Sequence, residues 1–172
     1  GALQYKLSPQ TTFDLSFTAQ RQKVKDPYYG LPVSSQTDAQ GRYPLLNVPR
    51  STYNSADWNR AVYDLRETSA SVEHRFDNEW TAKLSLNHRQ LRAYVKEVYT
   101  GSTVNATTNR VTYWSDQWQD DDTRDGLDLY AGGPFQFLGR QHHFLFGYNA
   151  ERYNHVSLSG DGPDYTNVVW GD

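Results

Sequence analysis

The chain contains no cysteine, which excludes a disulfide framework, a thiol nucleophile and a cysteine-ligated zinc site. It also lacks an excess of charge. Seventeen Lys and Arg stand against 20 Asp and Glu, a formal net charge of −3, and that balance gives no electrostatic case for nucleic acid. Long apolar runs are missing too. None approaches the ~18 residues of a membrane-spanning helix, and the mean hydropathy is −0.84. These absences exclude a helical membrane protein. They do not exclude a membrane-spanning β-barrel, whose strands are apolar on one face only and escape hydropathy averages. No Gly-x-Ser-x-Gly elbow, glycine-rich phosphate loop or paired zinc motif occurs, so the sequence offers no catalytic set, no resident cofactor and no metal site. No leader-like segment opens the chain. GALQYKL at one end and VVWGD at the other read as interior sequence, and an excised piece of something longer is expected.

What the chain does have is aromatic residues, 15% of the total, in a sequence only 37% hydrophobic. It also has a dominant period of two, the period of a strand. Leu3, Tyr5 and Leu7 share one phase, with Gln4 and Lys6 in the other. After Ser8-Pro9-Gln10, Phe13, Leu15, Phe17 and Ala19 oppose Asp14, Ser16, Thr18 and Gln20. The unit recurs in HRFDNEWTAKLSL and its flanks: Ala70, Val72, His74 and Phe76 are in phase, Asp77-Asn78-Glu79 turn the chain, and Trp80, Ala82, Leu84 and Leu86 are in phase again. A third pair has Leu127, Leu129, Ala131, Phe135 and Phe137, a turn at Gly139-Arg140-Gln141, then Phe144, Phe146, Tyr148 and Ala150.

The expected fold is all-β: three hairpins and about six strands, most of about 10 to 14 residues, against about 5 or 6 in ordinary globular sheets. A strand crossing a bilayer at a tilt needs about 9 to 11. The connections are asymmetric. Those within hairpins are short, whereas residues 26–61 and 100–121, and a third stretch from near Ser159, read as long polar loops. Short turns on one edge and long loops on the other are the mark of a transmembrane antiparallel up-and-down β-barrel. Phe76, Trp80, Phe135, Phe137 and Phe144 gather close to the short turns, as membrane-interface residues do. A soluble, aromatic-rich, sugar-binding β-sandwich would alternate as well, and a porin-like passive barrel would share the loop asymmetry.

YYGLPV (28–33), LNVPRSTYNSADWNR (46–60), ETSASVEHRFDNEWTAKLSLNHR (67–89) and LYAGGPFQFLGRQHHFLFGYN (129–149) together resemble the TonB-dependent siderophore receptors, in the ferric-pyoverdine and ferric-coprogen branch. The likeness spans nearly the whole chain. It implies a barrel of about 22 strands with an N-terminal plug domain and a TonB box. Residues 1–172 would then be part of the barrel domain, without the plug. Six strands cannot enclose a plugged lumen, so transport belongs to a longer parent. The resemblance further implies a bacterial outer membrane, no enzymatic activity, and iron present only within a ferric siderophore ligand. The partners it implies are that siderophore, the TonB complex acting through the plug, and outer-membrane lipid.

On that resemblance, loop aromatics are the candidate ligand contacts: Trp58 with Tyr53 in the first long loop, and Tyr113, Trp114 and Trp118 in the second. Flat apolar rings bury flat organic ligands. The run Asp120-Asp121-Asp122 reads as a solvated loop end rather than a calcium loop. Adjacent strand residues point to opposite faces, so His142 and His143 read as interfacial residues rather than a metal pair. Glu73, Arg75, Lys83 and Arg89 fall in the polar phase and are expected to face the lumen.

Overall fold

The computed structural model describes residues 1–27 and 29–170; Tyr28 of the YYGLPV stretch, Gly171 and Asp172 lie outside the described residues. Every regular element is a strand: β1 (Ala2–Ser8), β2 (Thr11–Lys25), β3 (Arg60–Arg75), β4 (Thr81–Thr100), β5 (Arg110–Phe137), β6 (Arg140–Asp161) and β7 (Tyr165–Val169). They form one sheet in the order β1-β2-β3-β4-β5-β6, each strand beside its neighbour in sequence, and β7 pairs antiparallel with the start of β5. The order begins at β1 and ends at β6, so the sheet is open. This is the all-β, up-and-down arrangement that the alternation implied.

Register keeps like phases together. Leu3 pairs with Leu15 and Tyr5 with Phe13. Gln4 pairs with Asp14 in the other phase, its amide donating to the carboxylate at 2.8 Å. Such cross-strand pairs stabilise a sheet by about 0.2–1 kcal/mol each.

The middle turn closes with the Phe76 N–H donating to the Trp80 carbonyl at 2.8 Å, and Glu79 takes the left-handed conformation at φ 65°. That is a three-residue hairpin loop with an αL residue before the second strand. The last turn differs from expectation. It is Leu138-Gly139, with φ 50° and 70°, and β6 already begins at Arg140. A two-residue turn with positive φ at both positions matches the twist of the flanking strands. Leucine rarely adopts this conformation, which is why the sequence pointed one residue too late.

The strands are also longer than expected: β2 to β6 have 15, 16, 20, 28 and 22 residues. The extension falls mostly on the supposed second loop. β4 runs to Thr100 and β5 starts at Arg110, so only residues 101–109 connect them. Tyr113, Trp114, Trp118 and Asp120–Asp122 are therefore strand residues rather than loop residues. The third loop also starts later, after β6 ends at Asp161, and holds β7. The physical reason is common to both. A strand needs an alternating sequence only where one face meets an apolar medium; where both faces are wet, backbone pairing continues without that signature.

The described residues group into two compact units. One comprises Gly1–Arg21, Asp64–Arg92 and Asp120–Val156 and holds the three short turns. Its apolar phase is uncovered: Leu3, Tyr5, Leu7, Phe17, Phe146 and Tyr148 are all exposed. Among the described residues no second sheet covers them, which removes the packed sandwich and suits a hydrocarbon solvent. The other unit comprises Gln22–Tyr63, Ala93–Gln119 and Ser157–Asp172. It holds the long connections and a small core of Ala61, Ala93, Val95, Val104 and Val111, with the polar Asn59, Glu97 and Ser115 also buried.

Candidate functional site

The long-connection unit is built on the end of β4 and the start of β5. Side chains alternate along each strand, and their contacts sort them into two faces. On one face, the Lys96 ammonium lies 5.1 Å from the centre of the Trp58 ring. The Arg60 guanidinium lies 5.1 Å from the centre of the Tyr94 ring. Tyr94 in turn donates its hydroxyl to Gln117 at 3.1 Å. On the other face, Tyr99 meets Trp114 edge-on, with centroids 6.2 Å apart and planes at 89°, and Tyr29 tilts against Tyr99 at 6.0 Å. Trp114 lies against Gly101: a Cβ there would stand 2.5 Å from the indole ring.

The first long connection is tied down by polar side chains. Asn59 does most of this. Its side-chain amide donates to the Val98 carbonyl and accepts from the Val98 N–H, both at 2.9 Å. A side chain thus imitates one more ladder residue beside β4. The same amide donates to Ser55 at 2.9 Å, and Ser55 donates to the Pro27 carbonyl at 3.1 Å. Asn54 donates to Thr100 at 2.7 Å and accepts the Tyr113 hydroxyl at 2.9 Å. Tyr53 donates its hydroxyl to the Asp26 carbonyl.

The five aromatic candidates therefore do not form one cluster. Trp114 sits with Tyr99 on one face, and Trp118, half-buried, lies in the same phase of β5. Trp58 sits with Lys96 on the other face. Tyr53 and Tyr113 spend their hydroxyls on the first connection. The sequence reading missed Asn59, Glu97 and Gly101. Asn59 lay inside the quoted LNVPRSTYNSADWNR stretch, but only the fold reveals what its amide replaces.

Two carboxyls are unusual here. Glu97 is only 6% exposed, its Oε2 has no hydrogen-bond partner, and Asp116 Oδ1 is likewise buried without one. Burial raises the pKa of both above the ordinary carboxylate range; Asp116 further raises Glu97, and Asp161 raises Asp116. Burial and the neighbouring Glu97 also raise the Tyr29 hydroxyl.

The acidic run proves to be strand-borne and paired. Asp121 accepts the Arg92 guanidinium at 2.9 Å. Asp122 accepts the Tyr153 hydroxyl at 2.9 Å and contacts the His155 ring nitrogen at 2.5 Å.

No family model matches the chain. It is 25% identical over 166 residues to the ferric-pyoverdine BN7/BN8 receptor of Pseudomonas putida, covering 96% of this chain and 20% of that protein. It is 27% identical over 178 residues to the ferripyoverdine receptor of Pseudomonas aeruginosa, covering 98% of this chain and 20% of that protein. Among solved structures, the pyoverdine outer membrane receptor FpvA from Pseudomonas aeruginosa PAO1, bound to pyoverdine, matches with a TM-score of 0.78 and 27% identity. That match covers 92% of this chain and 23% of that one. The chain is related to the ferric-pyoverdine receptors. It spans about a fifth of the length of the curated relatives it matches. The sheet is part of the wall of a barrel in the bacterial outer membrane, and these relatives are receptors, not enzymes.

In this barrel wall the short-turn unit carries the other aromatic set. Trp80 donates its indole N–H to the Pro134 carbonyl at 2.9 Å, and its ring occupies the space where Gly133 lacks a Cβ. Phe135 stacks on His142 at 5.4 Å and meets Phe144 edge-on at 6.3 Å. Phe137 also packs on His142. Phe76 meets His74 at 4.5 Å. Phe76, Phe135, Phe137 and Phe144 all remain exposed. His143, in the opposite phase, lines a cleft with Glu73, Arg75 and Tyr130.

Proposed function

We propose that the chain is a wall segment, residues 1–172 of one barrel domain, of an outer-membrane receptor that binds a ferric siderophore and admits it in a TonB-dependent step. The siderophore meets the long-connection edge, where Trp114 and Trp118, in one phase of β5, offer ring surface to a flat chelate; Trp58, on the other face, packs with Lys96 instead. Tyr53 and Tyr113 act by holding the first connection in place. The exposed Phe76, Phe135, Phe137 and Phe144, with the half-buried Trp80, seat the short-turn, periplasmic rim in the lipid headgroup zone. No bond of the cargo is made or broken. Iron enters as part of the ligand, and the plug that gates the path belongs to the rest of the parent, where the TonB complex acts on it.

The observation that carries this reading is the likeness to ferripyoverdine receptors over 98% of the chain, joined to a sheet whose apolar phase is uncovered at the short-turn end. The test is growth under iron limitation of a receptor-deleted strain given back the full-length parent gene. Uptake of at least one defined ferric siderophore, lost when TonB is removed, is the expected result. Restored growth that is indifferent to TonB would point to a passive pore. Restoration by no chelate would overturn the proposal.

A further inference from the structure

We propose that Glu97 and Asp116 share one proton, and that the pair, acting through Tyr29, positions the first long connection over the Tyr99 and Trp114 rings. This rests on the receptor reading above and names positioning residues for its ligand site. Glu97 lies on β4 and Asp116 on the neighbouring β5, both in the long-connection unit. Glu97 is only 6% exposed. Its Oε2 and the Oδ1 of Asp116 are buried without a hydrogen-bond partner, yet the two carboxyls stand within hydrogen-bond reach of each other.

Two ionised carboxylates cannot hold that contact. Both groups would be acceptors only, and burial magnifies the repulsion between them. No cation relieves it: among the described residues neither carboxyl forms an ion pair. Lys96 borders a cavity that Asp116 also lines, but its ammonium stands over Trp58. One shared proton supplies the missing donor and removes one of the two charges.

The surroundings keep the proton in place. The titratable groups that act on the cluster are Tyr29 from the first connection, Tyr63 from β3, Tyr99 from β4, Asp161 at the end of β6 and Asp164 just beyond it. All are acids or phenols, so none offers a compensating positive charge. Glu97 also lies about 16 residues beyond the start of β4, past a hydrocarbon layer of about 25 Å, where it can exchange protons with water. Both carboxyls are raised from ordinary values of 4.5 and 3.8. The bridge is therefore complete below those values and fades as pH rises through the elevated ones.

Tyr29 carries the effect to the rings. Its hydroxyl donates to Glu97, its ring tilts against Tyr99 at 6.0 Å, and Tyr99 meets Trp114 edge-on at 6.2 Å. Tyr29 is otherwise 59% exposed, so the hydroxyl end is its anchor. Loss of the shared proton places a second charge on the pair, drives the carboxyls apart and withdraws Glu97 from Tyr29.

The test uses the full-length receptor in detergent. In the infrared difference between wild type and Glu97→Gln with Asp116→Asn at neutral pH, the carbonyl band of a protonated carboxylic acid is expected, and its absence would overturn the shared proton. Affinity for the ferric siderophore is then followed from about pH 5 to about pH 9, the span that buried carboxyls reach. The wild type is expected to lose about tenfold as the proton leaves. Asp116→Asn, whose amide N–H replaces the proton, should hold the low-pH affinity throughout, and Asp116→Ala should bind weakly throughout. A wild-type profile that matches that of Asp116→Asn, or an Asp116→Ala that matches the wild type, would overturn the positioning role. A third measurement needs no chelate: the near-ultraviolet circular dichroism of the rings should change over the same span in the wild type and stay constant in Asp116→Asn, and the reverse or no difference would overturn the coupling through Tyr29. If no ferric chelate binds at any pH while the band and the dichroism change are both present, the receptor reading falls and the proton-bridged pair stands.

Discussion

The Trp114 ring lies against the backbone of Gly101, and a Cβ at that position would approach its ring atoms to 2.5–2.7 Å. Real side chains essentially never come so close, so Gly101→Ala must turn the indole or move the connection. Tyr99 packs edge-on against the same ring and limits where it can go. If Trp114 contacts the ligand, Gly101→Ala in the full-length receptor lowers siderophore affinity by about tenfold, the order of a weakened aromatic anchor. Calorimetry measures this, and an altered near-ultraviolet circular dichroism signal reports the displaced ring.

Trp80 and Gly133 make the equivalent fit at the short-turn end. Overfilled sites cost about 1–3 kcal/mol, so Gly133→Val should lower the unfolding midpoint of the detergent-solubilised barrel clearly. Trp80→Phe removes the hydrogen bond to the Pro134 carbonyl and part of the ring that lies over Gly133, and should cost at least about 1 kcal/mol. Heat-modifiable gel mobility reads both. An unshifted midpoint for Gly133→Val would show that the ring does not occupy that space.

Glu79 holds φ 65° at the end of the middle turn. A non-glycine residue in this region carries a strain of about 1 kcal/mol. Glu79→Gly is therefore expected to stabilise the hairpin by up to about that amount, seen as a raised unfolding midpoint. Glu79→Val, with a β-branched residue, should lower it.

The His155–Asp122 pair gives a pH signature. Both lie about 15 residues from the last turn, beyond a hydrocarbon layer of about 25 Å. The carboxylate of Asp122, by its hydrogen bond, raises His155 above its ordinary 6.5. The same bond lowers Asp122 below 3.8. For the raised histidine, the stabilising contribution is complete below 6.5 and fades as pH rises through its elevated pKa. For the depressed carboxylate it is complete above 3.8 and fades as pH falls through the lowered pKa. The pair is thus strongest between those limits. In an NMR titration His155 should titrate above 6.5, and Asp122→Asn should return it towards that value.

Much of the fold was legible because one face of each strand meets lipid. Phe13, Leu15, Phe17 and Ala19, or Trp80, Ala82, Leu84 and Leu86, can be read as strands without further help. Legibility ends where lipid does. In YWSDQWQDDD both phases are polar, yet β5 runs straight through it, so Trp114 and Trp118 were mistaken for loop residues. The site was legible only as a list of aromatics. That Trp58 and Trp114 face opposite ways depends on pairing across β4 and β5. The ladder-like role of Asn59 and the close seating of the Trp114 and Trp80 rings over Gly101 and Gly133 exist only between segments apart in sequence.

The central claim is that the ligand is met at the long-connection edge and not at the short-turn rim. Its most direct test is the affinity of the full-length receptor for its ferric siderophore, comparing Trp114→Ala with Trp118→Ala against Phe137→Ala. The account predicts a loss of about tenfold or more for the tryptophan pair and wild-type affinity for Phe137→Ala. Wild-type affinity in the tryptophan variant, or an equal loss in Phe137→Ala, would contradict it.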